Sequence, residues 1–499
     1  MAKIDFELPD IDADLVIPTI TPNAMGHVKT FPADTEIQAN LDYPTELVDN
    51  WQDVAIQRLG ELLEENKALK VYLDSCVKCG ACTDKCHYYL GTGDPKNMPV
   101  ARQDLLRKIY RRYFTTAGKY FPKLVGAEDL TEDVLDDWYN YFHQCSQCRR
   151  CAVYCPYGID TAEISMAARD IMAHIGVAQK YTHQVLDKAQ RVGNNLGLPK
   201  PALVDTLESL EEDLLEETGV PIKLPLDEPN AEVLLVTPSA DFFAEPHVDG
   251  LLGYAKVFHQ AGISWTMSSD ASEAANFALF TGSHQHMKTL TDKVHDAAKK
   301  LGIKRIVVGE CGHAWRVAHN YWNTLSGPFD FLDPNYPTAQ HICDFTNEQI
   351  NAGKLRIDKS KNDHIRVTFH DSCNVARASS MGGEAGGQFT IPRNVIKSVC
   401  NHFVEMRSDT TGEHTFCCGA GGGLLTDDLM EVRVKGAKPR MQAFNEVRTN
   451  SQVTHIAAIC AICKSQFSTL LPMYDMPMDS IVSVHQLVSN ALVFDTVEK

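Results

Sequence analysis

Apolar residues along this chain follow two rhythms, and the change between them falls near Ala231. Before it, Val48, Trp51, Ala55, Leu59, Leu62 and Leu63 recur at three- and four-residue intervals, the spacing of one helix face. Pro99 to Tyr113 and Thr161 to Ala173 predict further helices, and the acidic run Leu207 to Thr218 leads into a linker marked by Pro221, Pro225 and Pro229. After Glu232, strands are expected at Val233 to Thr237, Arg305 to Val308, Ile365 to Phe369 and His455 to Ile459. Helices are expected at Leu251 to Ala261, Ala314 to Leu325, Val395 to Val399 and from Ser465. This alternation predicts α/β layers with a largely parallel sheet in each half. The halves also repeat: Ile306 to Cys311 resembles Ile456 to Cys460, and each is followed by a helix and then a histidine-led helix at His341 or His485. Two similar lobes predict a site in the crevice at their strand ends.

These patterns divide the chain into an extended Pro-rich arm at 1-47, a helical domain at 48-180 and an acidic, Pro-containing linker at 181-230. A first lobe at 231-360 and a second at 361-499 complete it. The arm reads either as a disordered tail or as a segment ordered against another subunit, because Pro-rich stretches build no core of their own. At 499 residues the chain exceeds one core. The formal net charge of −18 argues against a nucleic-acid partner, which needs a basic surface. No stretch approaches the length of apolar chain that spans a bilayer, so a membrane link would come through a partner. The sixteen cysteines sit in a large chain without a signal sequence, which points to a reducing cytoplasm rather than to disulfides.

Eight of those cysteines form two quartets, Cys76, Cys79, Cys82, Cys86 and Cys145, Cys148, Cys151, Cys155, each spaced C-x2-C-x2-C-x3-C. In this motif three close thiolates wrap one 4Fe-4S cubane and the fourth reaches to the other. Cys76, Cys79, Cys82 and Cys155 are thus expected on one cluster, and Cys86, Cys145, Cys148 and Cys151 on the second. C-x2-C pairs also suit tetrahedral zinc, but a repeated cluster spacing favours iron and sulfide. Pro156 completes the usual Cys-Pro ending of the second quartet, whereas the first ends in Cys86-His87, a departure that alters the local turn. The basic helix between the quartets (Arg102, Arg107, Lys108, Arg111, Arg112) is either a solvated or a docking face.

A second constellation, Cys373, Cys417-Cys418 and Cys460-x2-Cys463, falls at strand ends or loop starts of the second lobe. Ala420-Gly421-Gly422-Gly423 follows Cys-Cys-Gly and supplies a backbone able to approach an inorganic core closely. Zinc is the alternative here too. Of the corresponding positions the first lobe keeps only Cys311, followed by His313; Phe280 to Ser283 stands where a Cys-Cys-Gly would. Cys311 and His313 read either as a thiol and proton donor facing a substrate sulfur or as a vestigial cysteine with a packed histidine. His370 and Asp371 read either as orienting the loop of the constellation or, the simpler expectation, as capping the helix after them, and Cys343 and Cys400 read as core.

The pattern Cys, Cys-Cys-Gly, C-x2-C resembles the CCG-domain family, which includes heterodisulfide reductases and the iron-sulfur subunits of glycolate, lactate and glycerol-phosphate oxidoreductases. The resemblance implies a noncubane 4Fe-4S cluster on Cys373, Cys417, Cys418, Cys460 and Cys463. The long helical insertion implies a helical ferredoxin of the respiratory kind. Cys79 to Pro95 and Asn97 to Arg102 further resemble the DsrK family of subunits from dissimilatory sulfite-reduction membrane complexes. That likeness implies a cytoplasmic subunit held to the inner face of the cell membrane by a haem-b partner, DsrM. It also implies electrons passing from quinol through two cubanes to the noncubane cluster, where a disulfide or trisulfide of the sulfur carrier DsrC is reduced. The alternative, as in the glycolate and lactate oxidase subunits, is an electron relay without a substrate of its own.

Overall fold

The computed structural model describes residues 33–495. Most of the proposed arm lies outside the described residues. Its last part, residues 33–47, packs on this chain's own core. Thr35–Asn40 is a short helix, Ala33 N–H donates to Ala178 O (2.9 Å), and Leu41 and Tyr43 are buried in this chain's own core. Tyr43 packs among the rings of His174, His183 and His286 as an aromatic anchor.

The helical domain is organised around Thr161–His174, which begins where Asp160 accepts from Ala162 N–H and is buried nearly all round. Trp51–Glu65, Pro99–Phe114 and Glu132–His143 pack on it through Leu59, Leu106, Ile109, Trp138 and Phe142. The span 181–230, expected to be a linker, is largely helical, with Lys180–Val192 and Lys200–Thr218. Leu203, Leu207, Leu210 and Leu214 form a buried stripe at helical spacing, and that stripe outweighs the acidic character of the opposite face.

Each lobe holds a fully parallel sheet. In the first, β1 (Val233–Val236), β2 (Trp265–Thr266), β3 (Arg305–Val308) and β4 (Gln340–His341) run in the order β2-β1-β3-β4. In the second, β5 (Val367–His370), β6 (His455–Ala458) and β7 (Ile481–Ser483) run in the order β5-β6-β7. Val233 pairs with Arg305 and Val367 with His455, so the central strands β3 and β6 stand in register with their neighbours. Strands β2, β4 and β7, two or three residues long, were too short for period to reveal. Strands buried on both faces read as continuous apolar runs, which is why Leu234, Val307 and Ile456 are fully enclosed. The overall class is α/β: a helical two-cluster ferredoxin-type domain followed by two α/β lobes.

Candidate iron-sulfur site

Both quartet loops share one backbone pattern. Lys78 and Gly80 have positive φ (55° and 77°), as do Gln147 and Arg149 (55° and 60°), so the second and fourth residues after each leading cysteine turn left-handed. The loops thereby curl their thiols inward. Cys76, Cys79, Cys82 and Cys155 line one recess; Cys86, Cys145 and Cys148 line another, with Cys151 bordering both. The fourth cysteine of each quartet thus faces the other quartet's recess, the crossing that the spacing implies. Gln103 Nε2–H donates to Cys76 Sγ (2.7 Å), and burial pushes the Cys82 thiol up to about 11, with Cys155 and Cys76 adding to the effect.

The five cysteines of the second lobe meet, and a sixth joins them. Their thiols adjoin in turn along a row, Cys373 beside Cys417, Cys417 beside Cys418, Cys418 beside Cys463, Cys463 beside Cys460 and Cys460 beside Cys311, each near enough to perturb its neighbour's ionisation. All six are buried. Cys311 and Cys460 begin the helices Gly312–Asn320 and Ala461–Leu470 after β3 and β6, so two helix N-termini face the row. His313 Nδ1 lies 3.6 Å from Cys460 Sγ. Thiols this close cannot all ionise without a cation among them. Cys417 and Cys460 are pulled well below the usual range by the thiols beside them, Cys373 and Cys311 first, while Cys373, Cys418, Cys463 and Cys311 are pushed well above it.

The charged surroundings give an independent test of what the cysteines hold. Arg102 donates to Tyr141 O and Asn97 Oδ1; Arg377 donates to the carbonyls of Cys148, Glu413 and Thr415. Arg169 donates to the carbonyls of Phe142, Cys145, Phe280 and Gly422, and Arg440 to Thr410 O, Thr415 Oγ1 and Phe416 O. None of the four guanidinium groups has a carboxylate partner among the described residues. Buried cations with neutral partners alone are costly, and an anionic thiolate-ligated cluster supplies the missing counter-charge. The donor set fits.

His87, the residue standing where a proline usual to the motif would be, joins the two cysteine regions. Its Nδ1–H donates to Gly436 O (2.7 Å), its Nε2 meets Ser146 Oγ (2.8 Å), and its ring lies against the thiols of Cys148 and Cys417. Burial pushes the Cys148 thiol up, but the bond and charge of His87 outweigh it and bring Cys148 to about 7. Beside it, Tyr88 OH donates to Gly419 O (2.7 Å). The departure from Cys-Pro, legible in sequence, was the signal for this contact.

Two expectations are corrected. Gly421, Gly422 and Gly423 do not present bare backbone to an inorganic core. Cβ atoms there would meet Ser146 O at 2.8 Å, Cys145 O at 2.7 Å and Thr182 Cγ2 at 2.3 Å, so these glycines seat the ferredoxin-type loop against the second lobe. Asp371 caps nothing; it takes a two-pronged bond from Arg393 (2.7 and 2.8 Å) and another from Gly412 N–H, holding the loop that leads to Cys417. His370 is buried against Phe467, with burial pushing it down to about 3. Cys343 and Cys400 are core, as expected. A network that sequence reasoning missed ties the lobes together behind the thiol row: Lys464 Nζ donates to Glu310 Oε2 (3.2 Å), and Glu310 Oε1 accepts from His485 N–H (2.9 Å).

Comparison with known proteins matches residues 72–159 to a 4Fe-4S dicluster domain and residues 367–468 to the cysteine-rich CCG domain. The chain is 40% identical over 477 residues to an Hdr-like menaquinol oxidoreductase iron-sulfur subunit of Archaeoglobus profundus, covering 90% of this chain and 84% of that one. It belongs to the CCG-domain, heterodisulfide reductase-like family. A second such subunit, from Archaeoglobus fulgidus, is 39% identical over the same shares of each chain. A polypeptide of the dihydromethanophenazine:CoB–CoM heterodisulfide reductase of Methanosarcina barkeri is 26% identical, over 79% of this chain and 88% of its own. No solved structure matches. As a member of this family the chain is an iron-sulfur oxidoreductase subunit. No helix among the described residues is long and apolar enough to cross a membrane.

Proposed function

We propose that this chain receives electrons from a membrane quinol pool through a haem-b subunit of the DsrM kind and delivers them to a protein disulfide or trisulfide. The substrate is a small sulfur carrier of the DsrC kind, in dissimilatory sulfur metabolism. The observation that carries the reading is the buried row of six thiols at the strand ends between the lobes, with His87 standing between Cys148 of the second quartet and Cys417 of the row. Cys79 of the first quartet is exposed, whereas every thiol of the row is enclosed. Relatives named for menaquinol oxidation and for heterodisulfide reduction supply the two ends of that path.

In this reading Cys76, Cys79, Cys82 and Cys155 hold one cubane and Cys86, Cys145, Cys148 and Cys151 the other. Cys373, Cys417, Cys418, Cys460 and Cys463 hold a noncubane 4Fe-4S cluster. When bound, such clusters would supply the electrons one at a time. Reducing one disulfide consumes two electrons and two protons and yields two thiols. The protein's part is to exclude water and to place a proton. His313 presents Nδ1 to Cys460, while its Nε2 is buried without a partner among the described residues and faces Gly421. Cys311 adds the first lobe's thiol to the row.

Iron analysis with electron paramagnetic resonance tests this. About 12 irons per chain are expected, four for each of three clusters, with a signal that changes on adding the sulfur carrier. Cys417→Ser removes that signal and about four irons. Eight irons in the unmodified protein, or no response to the carrier, would leave only the electron-relay role.

A further inference from the structure

The insertion between the quartets carries a feature that electron transfer does not use. Beyond Pro99–Phe114 the chain turns through two short helices, Thr116–Tyr120 and Pro122–Val125. The turn is fastened at its base. Arg111 Nη1–H donates to Val125 O (2.8 Å), Thr115 Oγ1 accepts from Gly118 N–H (3.1 Å), and Ala127 N–H donates to Pro122 O (2.9 Å). Lys108 and Arg112 pair with Glu128 and Asp129, and Gly118 sits so near Arg111 O that a Cβ would lie 1.8 Å from it.

The tip held by this base faces outward. Tyr120, Phe121 and Leu124 are 74%, 63% and 84% exposed, with Phe114 beside them at 37%. Apolar side chains held rigidly in water mark a surface that something else covers. Lys119 and Lys123 flank them, Thr115 to Gly126 contains no acidic residue, and neither lysine forms an ion pair among the described residues. All this occurs in a chain of net charge −18. In the basic helix before it, Arg102 and Arg107 are buried, Arg111 is bound to Val125 O, and Lys108 and Arg112 are paired with carboxylates.

A local basic patch on an acidic protein selects an anionic surface, and aromatic rings and leucine among lysines are the composition of a segment lying in a membrane interface. We propose that residues 114–124 insert into an anionic bilayer surface, with Tyr120, Phe121 and Leu124 at the acyl boundary and Lys119 and Lys123 on the lipid phosphates. This rests on the proposed quinol-linked role only for the presence of a membrane nearby.

The test is sedimentation of the full, cluster-loaded chain with vesicles of phosphatidylcholine alone or mixed equally with phosphatidylglycerol. The unmodified protein is expected to bind the mixed vesicles, and Phe121→Glu/Leu124→Glu to lose about tenfold or more in binding with iron content unchanged. Lys119→Glu/Lys123→Glu should abolish the preference for phosphatidylglycerol. No binding by the unmodified chain, or equal binding by the apolar-tip variant, overturns the proposal. So does a variant that loses co-purification with an integral membrane subunit while the unmodified chain ignores vesicles, which assigns the tip to a protein groove. The assay involves no disulfide, so its failure leaves the carrier-response experiment standing, and the reverse.

Discussion

Gly436→Ala probes the contact that brings the first quartet to the thiol row. Gly436 lies inside the helix Met430–Ser451 with no left-handed φ, so alanine is a better helix former there by about 1 kcal/mol. Its Cβ, however, would stand 2.3 and 2.4 Å from Cε1 and Cδ1 of Tyr88, against about 3.5 to 4.0 Å for carbons in contact. Tyr88 is fully buried, and its hydroxyl is tied to Gly419 O, so the ring cannot simply rotate away. The helix His87–Thr92 must retreat by roughly 1 Å or more. Retreat also strains the bond from His87 Nδ1–H to Gly436 O, and Gly91, whose own Cβ would lie 1.8 Å from Lys435 O, shows that the helices already touch backbone to backbone. Overpacking costs about 1 to 3 kcal/mol, and each of two buried bonds left unmade about 1 to 3; net of the propensity gain, the loss centres on about 5 kcal/mol. For a chain of this length that lowers the melting temperature by about 5 °C, at about 1 °C per kcal/mol. The assay is anaerobic thermal unfolding followed by circular dichroism and cluster absorbance, with Gly262→Ala as control. Gly262 has φ 68° and nothing near its Cβ position, so it tests left-handed strain alone, about 1 to 2 kcal/mol. A Gly436→Ala protein as stable as the wild type would refute the close helix approach as the fastening of the two regions.

Arg169→Met leaves the buried carbonyls of Cys145 and Gly422 without their donor, while Phe142 O keeps Cys145 N–H and Phe280 O keeps Gln147 Nε2–H. At about 1 to 3 kcal/mol for each stranded carbonyl the variant should cost about 2 to 6 kcal/mol; iron retained after gel filtration should fall, and Arg169→Lys should restore part of it. Lys464→Met strands Glu310 and Asp241 in the interior at about 3 to 5 kcal/mol, and adding Glu310→Gln should recover part of that loss in a thermal double-mutant cycle. Burial pushes His183 down to about 3 and His247 and His286 down to about 4. The unfolded chain, titrating near about 6.5, then binds more protons than the folded one between those values. Stability should be level above neutrality and fall as pH drops from about 6.5 toward 4, by up to about 1.4 kcal/mol per unit for each histidine. Denaturant melts across that range check the slope, and His183→Leu should make it shallower.

Features set by neighbours in the chain were legible in its residues alone. The quartet spacing implied which cysteines share a recess, because loop length decides what a thiol can reach. The apolar runs at Val233 and His455 marked central parallel strands, whereas acidic neighbours and prolines made the helix that carries Leu203 to Leu214 read as part of a linker. Strands of two or three residues left no period to read. The rest depended on parts of the chain far apart in sequence. Cys311 meets Cys460 because β3 and β6 end at one crevice, His87 meets Gly436 because two helices touch at glycines, and Arg169 draws together carbonyls from Phe142 to Gly422. No local pattern records such contacts. They follow from which buried groups the packed lobes leave facing one another, and desolvation then forces those groups to find charge or hydrogen-bond partners across the fold.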